Sequence, residues 1–78
     1  LEALRQRELL REVDTYAAGR GPLRTFRREA VLAGFRAHHA AQDYATIIRV
    51  AERLPRAALE EDVDLMMLYD AATLVMGA

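Results

Sequence analysis

Between Gly34 and Pro55 two alanine-rich helical patterns are separated only by Gln42 and Asp43. A break that short leaves the two helices one arrangement, folded back on each other as an antiparallel hairpin. Everything else in the chain has to pack around that corner. Asp43 suits the corner chemically, because its carboxylate can accept from the free amides of the turn that follows it and so act as an N-cap. The helix beyond it, Tyr44 to Leu54, packs through Tyr44, Ile47, Ile48, Ala51 and Leu54, and Pro55 stops it by pushing the preceding residue out of helical geometry.

Before the corner, the pattern predicts a helix from Pro22 or Leu23 to Ala41. Phe26, Ala30, Ala33, Ala37 and Ala40 lie along one side, and Val31, Leu32 and Phe35 widen it. Small residues on such a stripe let a neighbouring backbone come close. Gly34 costs roughly 1 kcal/mol of helix propensity against Ala, so it marks either close packing or a bend. Further back, Leu1 to Ala18 carries Ala3, Leu10 and Ala17 at intervals of seven, flanked by Leu9, Val13 and Tyr16. Gly19, Arg20, Gly21 and Pro22 end that helix, Gly19 as a left-handed cap and Pro22 as the first residue of the next helix.

After Pro55, residues 57–61 read as a single short turn. A last helix starts near Asp62 or Asp64 and runs to about Met76. It is apolar on more than one side: Leu65, Leu68, Tyr69, Ala72 and Met76 form one stripe, and Val63, Met66, Met67 and Leu74 another. A helix with so little polar surface is expected either at the centre of a bundle or at an interface. No period-2 run survives inspection, so the fold expected is all-α: a small bundle of four main helices built around the hairpin, with residues 1–78 as one domain.

A chain of 78 residues supports one small domain with a thin stability margin. Leu1 stands where an initiator Met is expected, and the reading is a piece of a longer protein. There is no Cys, which rules out disulfides and thiolate metal sites, and no apolar stretch approaches the roughly 20 residues of a membrane-spanning helix. The N-terminal LEALRQRELL is too charged for a signal peptide, so the cytoplasm is the default compartment. All 11 basic residues are Arg, a bias that fits GC-rich bacterial coding. The formal charge of −1 conceals a division. Residues 1–39 carry eight Arg against five acids, a net +3, and residues 40–78 carry three Arg against seven acids, a net −4.

Small Ala40 and Ala41 before the turn, the Asp43-Tyr44 step, Ala51 and Pro55 together make Ala37 to Leu54 resemble a degenerate tetratricopeptide-type unit. That family stacks helical hairpins into binding scaffolds. The second helix is shorter than the family's period of about 34 residues requires. The stretch from Tyr44 to Tyr69 is in turn similar to helical C-terminal segments of large bacterial DNA-handling proteins such as helicases and phage-defence enzymes. That resemblance implies a nucleic-acid context and no active site.

Chemistry is sparse. With neither Ser nor Cys in the chain, the usual nucleophiles are missing, and Gly19 and Gly21 lack the third glycine and preceding strand of a dinucleotide loop. His38 and His39 are adjacent, so on a helix they diverge by about 100° and do not share an ion. Glu60, Glu61, Asp62 and Asp64 lack the spacing and glycine of a calcium loop. No catalytic residue, metal or cofactor is assigned.

Two surfaces remain. One is the last helix, with Leu65, Met66, Leu68, Tyr69, Ala72 and Met76 as candidate residues for a protein partner or a second copy. The other is the set Arg20, Arg24, Arg27 and Arg28, which shares one face of the expected second helix and can neutralise phosphates. Its plainer reading is pairing with the acids of the C-terminal half, and a sequence pI near 6.1 speaks against autonomous nucleic-acid binding. The function expected is a non-catalytic protein-interaction or oligomerisation module, the alternative a nucleic-acid-contacting accessory domain. Neither involves a membrane or a small-molecule substrate.

Overall fold

In a computed structural model, which describes residues 2–23 and 25–77 and the side chains from Leu4 onward, the chain is all-helical. Five helices follow one another: α1 (Glu2–Ala18), α2 (Arg28–Ala40), α3 (Tyr44–Arg53), α4 (Arg56–Glu61) and α5 (Val63–Gly77). The short turn expected after Pro55 is the six-residue α4, whose Leu59 is buried. Leu1 and the side chain of Ala3, assigned above to the first helix and its stripe, lie outside the described residues.

The central helix is α2, which touches α1, α3 and α5. It buries Ala30, Val31, Leu32, Gly34 and Phe35, more of its circumference than one stripe covers. On one side Leu9 and Val13 of α1 are buried against it. On the other, Phe35, Ile47, Val50, Ala51, Leu54, Leu59, Leu65 and Ala72 join Val31 and Leu32 in a single apolar core. Gly34 is the point of closest approach between α1 and α2, since a Cβ placed there would lie 2.5 Å from Val13 Cγ1. Close packing, not a bend, therefore explains the glycine.

The expected start of the second helix at Pro22 or Leu23 is wrong by five or six residues, because α2 begins at Arg28. The cause is long-range. The Leu23 amide donates to the Arg53 carbonyl at 2.7 Å, and the Arg27 amide donates to the Tyr16 hydroxyl at 3.1 Å. Arg53 also donates from Nε to the Gly21 carbonyl at 2.7 Å and from Nη2 to the Arg20 carbonyl at 3.3 Å. These tertiary bonds hold residues 19–23 and 25–27 as a strap from which Leu23 and Phe26 reach the core. Gly21 takes φ 77°, a conformation that glycine adopts without strain.

Between α2 and α3, Gln42 stands at φ 62°. Its amide donates to the His39 carbonyl at 3.1 Å and that of Asp43 to the His38 carbonyl at 2.7 Å, the two bonds of a Schellman termination. Asp43 then starts α3 in its turn, accepting from the Thr46 amide at 3.4 Å and the Thr46 hydroxyl at 2.8 Å. One residue thus completes one helix end and caps the next. His38 Nδ1 lies 3.2 Å from the same carboxylate, and the hydrogen bonds from Thr46, with His38 nearby, hold the Asp43 carboxyl below the usual carboxylate range.

Candidate interaction surface

At about 100° per residue, the two apolar stripes of α5 lie on opposite sides of the helix. The structure turns one of them inward. Leu65 and Ala72 are fully buried, and Met66, Leu68 and Tyr69 are half-buried and packed against the core. The first two cannot meet a partner in this fold. Met76 shares their side of the helix but is exposed, because α5 outruns the body that covers Ala72 one turn earlier. Nor is α5 surrounded by the other helices, since Val63, Met67 and Leu74 on its far side are exposed.

The opposite side of α5 is open. Val63 and Leu74 are each 76% exposed and Met67 is 61% exposed, with Val75 and Met76 bare beyond them. Val63, Met67, Asp70 and Leu74 recur at steps of four, three and four, which aligns them along one line of the helix about 16 Å long. A shallow groove of about 350 Å³ runs beside its first half, between Glu60, Val63, Met66, Met67 and Asp70. Several large apolar side chains exposed on one helix face are uncommon on a monomer's surface and mark interaction sites. Val63, Met67 and Leu74 were absent from the candidate residues read from the sequence. Asp70 was the available signal, because in a helix whose only charges are Asp64 and Asp70 a charged side chain marks the side that meets water.

The arginines are arranged differently from the sequence expectation. With α2 starting at Arg28, Arg20, Arg27 and Arg28 do not share a helical face, because Arg20 and Arg27 belong to the strap. Arg24 lies outside the described residues. Arg27 pairs with Glu12 at 3.1 Å. Arg28 is bonded through Nε to Asp62, through Nη2 to the other Asp62 oxygen at 3.0 Å, and to Asp64 at 3.2 Å. That fork crosses from the basic half of the chain to the acidic half. The hydrogen bond from Arg28 holds the Asp62 carboxyl below the usual carboxylate range, and the same carboxylate accepts from the Leu65 amide at 3.3 Å, capping α5.

The remaining polar clusters are structural. Of the acids around the start of α5, Glu60 pairs with Arg56 at 2.7 Å, and Asp62 and Asp64 with Arg28. His39 stacks edge-on against Tyr44, with ring centres 5.7 Å apart. Burial and a hydrogen bond to Glu12 raise the pKa of the Tyr16 phenol, which is committed to the strap. Among the described residues there is no grouping of three His, Cys, Asp or Glu side chains able to hold a metal ion. None of the helices described is long and apolar enough to cross a membrane.

No protein-family model matches the chain, and no curated protein or solved structure is significantly similar to it. The surface has to be interpreted from its own chemistry.

Proposed function

We propose that the chain is a non-catalytic helical interaction module of a larger protein, and that the outer face of α5 is the surface through which it binds. The observation that carries this reading is the exposed line of Val63, Met67 and Leu74 on a helix whose other side is locked into the core. In this reading α2 and α3 form a tetratricopeptide-like antiparallel hairpin that serves as a rigid frame. The burial of Leu65 and Ala72 fixes α5 on that frame, so binding has little ordering cost at the interface. Phosphate binding by the arginines gains no comparable support, because Arg27 and Arg28 already face carboxylates.

The test is site-specific photo-crosslinking in cells, with a photoreactive phenylalanine analogue at position 67 or 74 of the full-length protein and at Glu52, exposed on α3, as the control. Protein adducts at 67 and 74 but not at 52 are expected. A correctly folded protein that forms no adduct at 67 or 74 overturns the reading.

A further inference from the structure

The open face of α5 carries a charge pattern that selects among occupants. Asp70 sits in the middle of its apolar line, between Met67 and Leu74, and makes no ion pair among the described residues. The other acid lining the groove, Glu60, is paired with Arg56. The helix itself holds no basic residue. The line of Val63, Met67, Asp70 and Leu74 is thus apolar with one negative charge and no positive one.

Three classes of occupant meet this pattern differently. Nucleic acid and anionic bilayers are repelled. A second copy pairing α5 with α5 about a two-fold axis meets the Asp70 problem in either orientation. A parallel pair sets Asp70 beside its own copy, and the antiparallel register that covers the whole line sets each Asp70 against Met67 of the other copy, with the two carboxylates about 4.5 Å apart along the axis. Carboxylates desolvated in such a seam with no cation to meet oppose association. What remains complementary is a cationic amphipathic segment.

Resting on the reading of α5 as an interface, we infer that its outer face receives a basic amphipathic helix of about three turns. The partner's Arg or Lys lies over Asp70, with apolar residues three or four positions to either side against Met67 and Leu74. The length follows from the line of about 16 Å between Val63 and Leu74. Arg in particular can cover apolar neighbours with its stem while its guanidinium meets the carboxylate.

The experiment titrates the 78-residue chain, isotopically labelled, with two synthetic amphipathic helical peptides identical except for a central Arg or Glu. The Arg peptide is expected to shift amide resonances of residues 63, 67, 70 and 74, and to bind at least about tenfold more tightly than the Glu peptide, the lower end of coupling between close interfacial charges. Asp70→Arg is expected to reverse that preference. Because Asp70 is exposed, the variant keeps the fold, and its unchanged melting curve verifies this. Equal affinity of both peptides for this face overturns the charge assignment while leaving the interface reading intact. Shifts at these residues that depend on protein concentration without peptide make a second copy the occupant and overturn the proposal. So does the failure of both peptides to bind while crosslinked adducts at position 67 still form.

Discussion

Adding one methyl group at Gly34 sets two effects against each other. An alanine in place of a glycine inside a helix gains about 1 kcal/mol of intrinsic stability. At this position, however, the new Cβ would stand 2.5 Å from Val13 Cγ1, 2.7 Å from Cγ2 and 2.8 Å from Val13 Cβ. Rotating Val13 about χ1 moves its methyl groups but leaves its Cβ in place, so no rotamer relieves the overlap. The α1 backbone has to withdraw, and with it Leu9 and Val13, which are 5% and 1% exposed. Overpacking of this kind costs about 1–3 kcal/mol, and involvement of a backbone-attached atom places it in the upper part of that range. Gly34→Ala is therefore expected to destabilise the fold by about 1–2 kcal/mol net of the propensity gain. For a domain of this size that lowers Tm by about 5–15 °C.

The assay is urea and thermal unfolding followed by far-ultraviolet circular dichroism, carried through a double-mutant cycle with Val13→Ala. Removing the two methyl groups of Val13 alone costs about 1.6 kcal/mol in transfer free energy, and more with the cavity left behind. In the double variant both Cγ overlaps are gone, and only the 2.8 Å contact with the Cβ at position 13 remains to be relieved. The combined loss should then fall short of the sum of the single losses by at least about 1 kcal/mol. If Gly34→Ala raises stability by the full propensity increment and adds independently to Val13→Ala, the close α1–α2 seam described here does not exist.

Three further outcomes are expected. Leu65→Ala should cost about 2–5 kcal/mol in urea unfolding while Met67→Ala stays within about 0.5 kcal/mol of the parent, because only the first faces the core; similar losses would reverse the orientation of α5. Gln42→Gly should stabilise by up to about 1 kcal/mol, since it removes the cost of a side chain in the left-handed conformation that terminates α2; a loss would show that Gln42 makes an interaction of its own. Asp43 and Asp62 both have carboxyls lowered below their unfolded values, by hydrogen bonds from Thr46 and Arg28 respectively. Their contribution is present above the unfolded pKa and is lost as pH falls through the folded one, so the urea midpoint should decline below about pH 4, and less steeply in Asp43→Asn/Asp62→Asn.

The parts of the fold legible in the sequence are those fixed by neighbours a few residues apart. Asp43 as a cap, the stop at Pro55 and the all-helical class depend on amides and side chains within one turn. The start of α2 does not. Pro22 has the local chemistry of a helix's first residue, yet the Leu23 amide bonds to the carbonyl of Arg53, and Arg53 grips the carbonyls of Arg20 and Gly21. No local pattern encodes a bond between residues so far apart in the chain, and misplacing that boundary put Arg20, Arg27 and Arg28 on a helical face that they do not share. The Arg28 fork to Asp62 and Asp64 fits the plainer reading of the arginines, pairing with the acids of the C-terminal half, although the sequence does not single out the partners.

The outer face of α5 was hidden for the opposite reason. Periodicity locates a buried face by contrast, and a helix apolar all round supplies none. Either stripe could have been turned inward as far as hydrophobicity decides. The choice was made by shape, since Leu65 and Ala72 present a large and a small residue on one face to the core that holds Phe35, Ile47 and Ala51, while the Val63–Leu74 line carries Asp70, whose burial without a partner would cost several kcal/mol. In the proposed interface, the same carboxylate that keeps this stripe out of the core also disfavours pairing with itself. An aspartate in the middle of an apolar line would then constrain two things together: which side of the helix faces the fold, and the sign of the charge on the proposed partner.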